Sequence, residues 1–236
     1  MTGVLLSHGY SGRSASMQPW ADHLTGLGYD VVAPTLPGHS DTWREMERTT
    51  FDDWFSALLS HFDDLRSRHE QVFVGGLSMG GSLALRLASE RSDQVAGVML
   101  VNPVGKIEAR GAWLAPLLKY VVRSVASAPP DIKKPGVVEP TLERTSTRAA
   151  HTVLRGISAL PGQLPSVRAP IVLFRSPEDH MVSDASHELI LSRVSSTDVT
   201  VHLLPESYHV ATLDNDAATI HQESAAFLAR LVRPSA

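Results

Sequence analysis

The chain has no cysteine among its 236 residues. Disulfides, thiolate nucleophiles and cysteine-based zinc sites are thereby excluded, and the absence suits a reducing compartment. Positive charge is not in excess either, because 21 Lys and Arg stand against 25 Asp and Glu, a formal net charge of -4. With no basic stripe to neutralise a phosphate backbone, nucleic acid is not an expected partner. No apolar run approaches the ~18 residues of a membrane span. No basic stretch leading into an apolar signal region opens the sequence, since Met1-Thr2-Gly3 passes directly into Val4-Leu5-Leu6. The expectation is a cytoplasmic protein without stable membrane insertion. The His-Glu-x-x-His pattern and comparable spacings are missing, so neither a metal nor another cofactor is expected. Internal repeats and low-complexity tracts are absent as well, and nothing in the pattern fixes an oligomeric state.

What is present is 43% hydrophobic residues in a length that commonly forms one α/β domain. Short apolar runs bounded by turn residues recur at 3–7, 29–33, 71–75, 95–101, 169–175 and 199–204. Stretches of helical periodicity lie between them at 16–27, 51–68, 82–90, 184–193 and 217–232. Such alternation predicts a mostly parallel, doubly wound sheet with helices on both faces, and ligands beyond the carboxyl ends of its strands. The interval 103–168 breaks the alternation. It holds Pro103, Pro116, Pro129, Pro130, Pro135, Pro140, Pro161 and Pro165, so it cannot be one continuous helix. We read 1–102 and 169–236 as the core and 103–168 as an inserted cap. Its apolar stretch 112–122 either packs against the core or lines an acyl-chain groove.

The run Gly76-Leu77-Ser78-Met79-Gly80 stands where an apolar strand gives way to a helical pattern. A sharp strand-turn-helix elbow strains its central residue and tolerates only small neighbours two positions away, which makes Ser78 a candidate nucleophile. A serine nucleophile needs a base, a carboxylate to orient that base, and N–H donors for the oxyanion. On such an elbow the chain order is Ser, then Asp or Glu, then His. The polar loop Ser176-Pro177-Glu178-Asp179-His180 follows a strand and supplies Asp179, with adjacent Glu178 and the helix-starting Asp184 as lesser candidates for the acid. After the last strand, Pro205-Glu206-Ser207-Tyr208-His209 offers His209 as the base, whereas His202 lies inside a strand. For the oxyanion, the N–H of Met79 follows the nucleophile, and the N–H of Tyr10 lies in the loop His8-Gly9-Tyr10-Ser11-Gly12 after the first strand. His8 itself reads as a residue packed beneath that loop.

Taken together, His8-Gly9-Tyr10-Ser11-Gly12, Pro37-Gly38-His39-Ser40, Gly76-Leu77-Ser78-Met79-Gly80-Gly81 and Ser207-Tyr208-His209 resemble an α/β-hydrolase. More narrowly, the loop at 176–182, the run at 208–214 and the segment 131–139 are similar to the bacterial monoacylglycerol lipase and carboxylesterase group. The resemblance covers nearly the whole chain. It implies an α/β-hydrolase fold, a Ser78-Asp179-His209 triad, oxyanion donors at Tyr10 and Met79, and a compact cap admitting one fatty chain. It also places Glu139 near the glycerol end of the substrate. The implied substrate is a monoacylglycerol or another small ester, with transient lipid contact through the cap. Tyr10 stands where phenylalanine is common in the group, and much of the cap outside 131–139 finds no match. A broad short-chain carboxylesterase, a thioesterase or a carbon–carbon bond hydrolase would share the same catalytic residues, and a ligand sensor would keep them without turnover.

Overall fold

The computed structural model describes residues 2–40, 42–107 and 122–232. Six strands form one sheet: β1 (Gly3–Ser7), β2 (Asp30–Val32), β3 (Val72–Leu77), β4 (Val95–Val101), β7 (Ile171–Arg175) and β8 (Val199–Leu203). Their spatial order is β2-β1-β3-β4-β7-β8, and every neighbouring pair is parallel. The sheet is thus all-parallel among the described strands, as near-continuous apolar strands require when both faces are covered. Between β4 and β7 the described part of the insertion contains a short antiparallel pair, β5 (Ser124–Ala126) and β6 (Arg144–Ser146). The expected apolar stretch 112–122 falls, except for Val122, outside the described residues.

The seven helices of the described chain are α1 (Gln18–Gly26), α2 (Trp43–Met46), α3 (Phe51–Arg68), α4 (Met79–Glu90), α5 (Thr147–Gln163), α6 (Asp184–Arg193) and α7 (Ala217–Leu231). Alternation along the strands divides the core in two. Leu5, Val74, Val98, Leu100 and Leu173 face α3, α4 and α5, joining Phe55, Leu58, Leu85 and Ile157. Val4, Leu6, Phe73, Met99, Val101 and Val172 face the other way, joining Trp20, Leu24, Ile220 and Leu228 from α1 and α7. α3 starts with a capping box, in which Thr50 Oγ1 accepts from the Asp53 N–H and the Thr50 N–H donates to Asp53 Oδ2 at 2.8 Å.

The sequence pattern places most elements within two residues of their observed bounds. It starts α4 at residue 82, whereas the helix begins at Met79. Gly80 and Gly81 are poor helix formers, and local pattern hides a turn held by its surroundings. The four-residue α2 is too short to carry a periodic signal.

This topology fixes where chemistry can occur. The chain leaves β1 toward β2 on one side, while β3 pairs with β1 on the other, with Leu6 beside Gly75 and Ser7 beside Gly76. Beyond the carboxyl ends of β1 and β3 a crevice opens at this switch point. The loop after β1 and the turn after β3 both lie there.

Candidate functional site

Ser78 caps the N-terminus of α4 with φ 58° and ψ -121°, a strained combination for a residue with a side chain. The surroundings impose it. The Ser78 N–H donates to the Val101 carbonyl at 2.9 Å, and the Ser78 carbonyl accepts from the Gly81 N–H at 3.0 Å. A Cβ at Gly80 would stand 2.1 Å from the Ser7 carbonyl oxygen, and one at Gly76 would stand 2.4 Å from the Gly80 carbonyl carbon. Helix and strand are pressed together here, so both flanking glycines answer a need for space. The hydroxyl emerges at the start of a helix, where free N–H groups face outward.

The loop after β7 carries Asp179 and the loop after β8 carries His209. Asp179 Oδ2 lies 2.7 Å from His209 Nδ1, and both side chains are buried. The other carboxylate oxygen accepts the N–H groups of Met181 at 2.7 Å and Val182 at 2.8 Å. An acceptor-only carboxylate at Nδ1 assigns the proton of a neutral imidazole to that nitrogen and leaves Nε2 as an acceptor. Ser78, Asp179 and His209, distant in sequence, line one cavity. The lesser candidates stand apart from this arrangement. Glu178 is exposed, 3.4 Å from Lys133 Nζ; Asp184 pairs with Arg175 in the first turn of α6; His202 stacks on Phe174 with ring centroids 5.4 Å apart.

The loop after β1 is held from below by two buried histidines. His8 Nε2 accepts the Leu36 N–H at 3.0 Å, and His8 Nδ1 donates to the Gly9 carbonyl at 2.8 Å. Burial, aided by neighbouring His39, lowers the His8 pKa to about 3, so its ring is neutral. His39 Nε2 sits 2.7 Å from the Tyr10 carbonyl, and the Tyr10 hydroxyl donates to the Ser146 carbonyl at 2.8 Å. Gly9 lies so close to the elbow that a Cβ there would be 3.4 Å from Ser78 Cβ. Tyr10 and Met79 line the same cavity as Ser78. His8 does pack beneath the loop.

Two chambers meet at Ser78 and His209. The larger, about 610 Å³, is walled mainly by apolar side chains, among them Val104, Ile107, Val153, Leu154, Ile157 and Val182. The smaller, about 360 Å³, has a wall that is also mainly apolar, with Leu77, Val125, Pro129 and Pro130 beside the polar Thr145 and Glu139. Glu139 is buried, with its carboxylate and the Ser16 hydroxyl both close to Gly12. Burial raises its pKa to about 7, against the opposing pull of His209 and of the nearby Ser16 hydroxyl. A carboxyl group there can accept hydroxyl protons when ionised and donate its own when neutral.

Sequence reasoning passed over Asn102, which sits at φ 43° just beyond β4 and is fully buried. Its Nδ2 donates to the His209 carbonyl at 2.9 Å and to Ser176 Oγ at 3.0 Å, while Oδ1 accepts the Ser176 N–H at 2.9 Å. One amide therefore ties the end of β4 to the loops after β7 and β8. The available signal was a polar residue closing an apolar strand directly before Pro103. Among the described residues, no group of three His, Cys, Asp or Glu side chains could hold a metal ion.

Known proteins share this arrangement at the level of sequence and fold. A family model described as serine aminopeptidase, S33, matches residues 2–216. The thermostable monoacylglycerol lipase of Bacillus sp. (strain H-257) is 37% identical over 97% of this chain and 90% of its own length. The carboxylesterase of Bacillus subtilis (strain 168) is 25% identical over 97% of this chain and 92% of its own. Among solved structures, a metagenome-derived lipolytic enzyme superposes with TM-score 0.94 at 33% identity, covering 97% of this chain and 94% of the other. The monoacylglycerol lipase of Paleococcus ferrophilus, at 20% identity, shares the fold with TM-score 0.82 over 98% of this chain and 95% of its own. With its parallel sheet, its nucleophile-type elbow and a match running over nearly its full length, the chain belongs to the serine aminopeptidase S33 family of α/β-hydrolases.

Proposed function

We propose that this protein hydrolyses carboxylic esters, monoacylglycerols foremost, through an acyl-enzyme on Ser78. The observation that carries the reading is the 2.7 Å contact of His209 Nδ1 with Asp179 beside a serine on a strained elbow, all three lining one mostly apolar cavity. His209 takes the hydroxyl proton through Nε2 as Ser78 Oγ attacks the acyl carbonyl. The backbone N–H groups of Tyr10 and Met79 hold the resulting oxyanion. His209 then protonates the departing alcohol. Water, deprotonated by the same imidazole, attacks the acyl-enzyme, and His209 returns that proton to Ser78 Oγ as the acid leaves. Asp179 stays ionised throughout, fixing the tautomer and stabilising the imidazolium.

The chambers divide the substrate. An acyl chain suits the larger space by its size, and the glycerol end suits the smaller for one reason, the buried Glu139 carboxyl, which would hydrogen-bond its hydroxyls. The described residues of the inserted interval, 103–107 and 122–168, supply the cap over both. Val138 at 76% exposure, Val125 at 47% and Val122 at 39% give it apolar points for short-lived contact with a lipid surface. No described helix is long and apolar enough to cross a membrane. A cytoplasmic location belongs to this reading, on the complete lack of cysteine. The similarity to a bacterial carboxylesterase supports a second reading, broad action on short simple esters.

Ser78→Ala tests the chemistry. We expect the burst of acylation to vanish and turnover to fall by at least about a thousandfold, with an unchanged circular-dichroism spectrum. Undiminished turnover would remove the assignment. Profiling monoacylglycerols against alkyl and aryl esters of graded length separates the two substrate readings, because activity confined to short simple esters favours the second.

A further inference from the structure

The segment 131–139 resembles the lipase group, yet only Glu139 has a place in the chemistry above. Asp131, at its start, is largely buried and contacts both loops that carry the proton relay. Its Oδ1 accepts the His180 Nδ1–H at 2.8 Å, while Oδ2 accepts the N–H of His180 at 3.1 Å and the N–H of His209 at 3.2 Å. The Asp131 carbonyl accepts the Val210 N–H at 3.0 Å. His180 follows Asp179 directly, so one carboxylate grips the neighbour of the acid and the backbone of the base. From the opposite side, Asn102 donates to the His209 carbonyl at 2.9 Å. The peptide units of His209 are thus pinned from two directions.

The next residues continue the attachment. Buried Asp214 accepts the N–H groups of Lys133 at 2.7 Å, Lys134 at 2.8 Å and Tyr208 at 2.9 Å. The His180 ring stands edge-on to Tyr208 with centroids 4.6 Å apart. Both loops are irregular segments beyond strand ends, and no ladder hydrogen bonds hold them there. A carboxylate suits the junction because two backbone N–H groups converge on Oδ2 while Oδ1 meets the His180 ring nitrogen.

We infer that Asp131 is a positioning residue that keeps the loops of Asp179 and His209 in register, so that the inserted segment controls the alignment of the proton relay. The inference rests on the triad proposed above. Asp131 touches no reacting atom in this scheme. Its effect is geometric, and a misplacement of about 1 Å in such a relay costs on the order of a hundredfold in rate.

The test is Asp131→Ala, which removes the acceptor of all three contacts at once. With a soluble short-chain aryl ester, kcat is expected to fall by about 10- to 100-fold while KM stays within about twofold. The far-downfield proton resonance of the His209 Nδ1–H shared with Asp179 is expected to shift or broaden. Lys134→Ala, which trims an exposed side chain of the same segment and leaves its backbone N–H on Asp214, is expected to keep parental kcat. Parental kcat and resonance in folded D131A would overturn the inference, as would an equal loss in Lys134→Ala, which would trace the effect to loosening of the segment as a whole. If D131A does not fold, His180→Ala decides, because it removes one of the three contacts from an exposed ring. It should lower kcat about threefold at constant KM, and unchanged kcat there would overturn the inference. Turnover surviving in Ser78→Ala would defeat the triad itself, whereas abolished turnover there beside full turnover in D131A would defeat only the role of Asp131.

Discussion

At the scale of single residues, function is written in strain and displaced ionisation. Ser78 is held at positive φ by the chain on either side of it, at a cost on the order of 1–3 kcal/mol for such a conformation. Glu139 is the second such residue, a carboxyl buried in the smaller chamber with its pKa raised to about 7. A raised carboxyl pKa means that the folded chain holds the proton more tightly than the unfolded one. Its contribution to stability is therefore full below the ordinary glutamate value near 4.5 and is lost as pH rises through 7. Fully developed, the loss amounts to roughly 3 kcal/mol. Replacing Glu139 by Gln keeps the shape and removes the charge. We expect the variant to be more stable than the parent by about 2–3 kcal/mol at pH 8 and by less than about 1 kcal/mol at pH 5, read from denaturant midpoints. An equal difference at both values would show that ionisation of this group is not what strains the site.

Elements set the precision of the elbow. α4 is pressed so closely against β1 that a Cβ added at Gly80 would meet the Ser7 carbonyl oxygen at 2.1 Å, which leaves room for nothing but hydrogen. Gly80→Ala must push the helix away from the strand or distort the turn. The expected cost is about 3 kcal/mol or more, a fall in Tm of roughly 6–12 °C, with kcat reduced because Ser78 and Met79 move with the helix end. A thermal scan within about 2 °C of the parent would contradict the close packing. The same element shows how far local sequence reaches. Gly76, Ser78 and Gly80 announce the elbow, because its steric demands concern residues adjacent in the chain. The true start of α4 is hidden, because Gly80 and Gly81 disfavour helix locally and are held in it by β1 and by Pro103, against which a Gly81 Cβ would stand at 2.9 Å.

Across the whole molecule, buried histidines make stability fall in acid. Burial lowers the pKa of His8 to about 3 and also lowers those of His39, His187 and His221. A depressed histidine pKa means that the unfolded chain takes up protons first, so the stability these groups contribute is present above the ordinary value of 6.5 and is lost as pH falls below it. Glu139 works in the opposite direction over part of this range and masks the effect. In a Glu139→Gln background, the denaturant midpoint should therefore decline steadily from pH 7 to pH 4.5. A flat profile would mean that these rings find protons without unfolding.

The amino-acid sequence by itself determined the alternation of strands and helices, the elbow at Ser78, and the loops that would carry Asp179 and His209. Each of these is encoded in residues close together along the chain, through periodicity, turn chemistry or steric need. Only the tertiary structure decided which polar groups hold that arrangement in place. Asn102, Asp131 and Asp214 look like ordinary loop residues in the sequence, and their partners lie up to 107 positions away. A hydrogen bond between distant segments leaves no local pattern, because its geometry exists only after the sheet has brought the strand ends together.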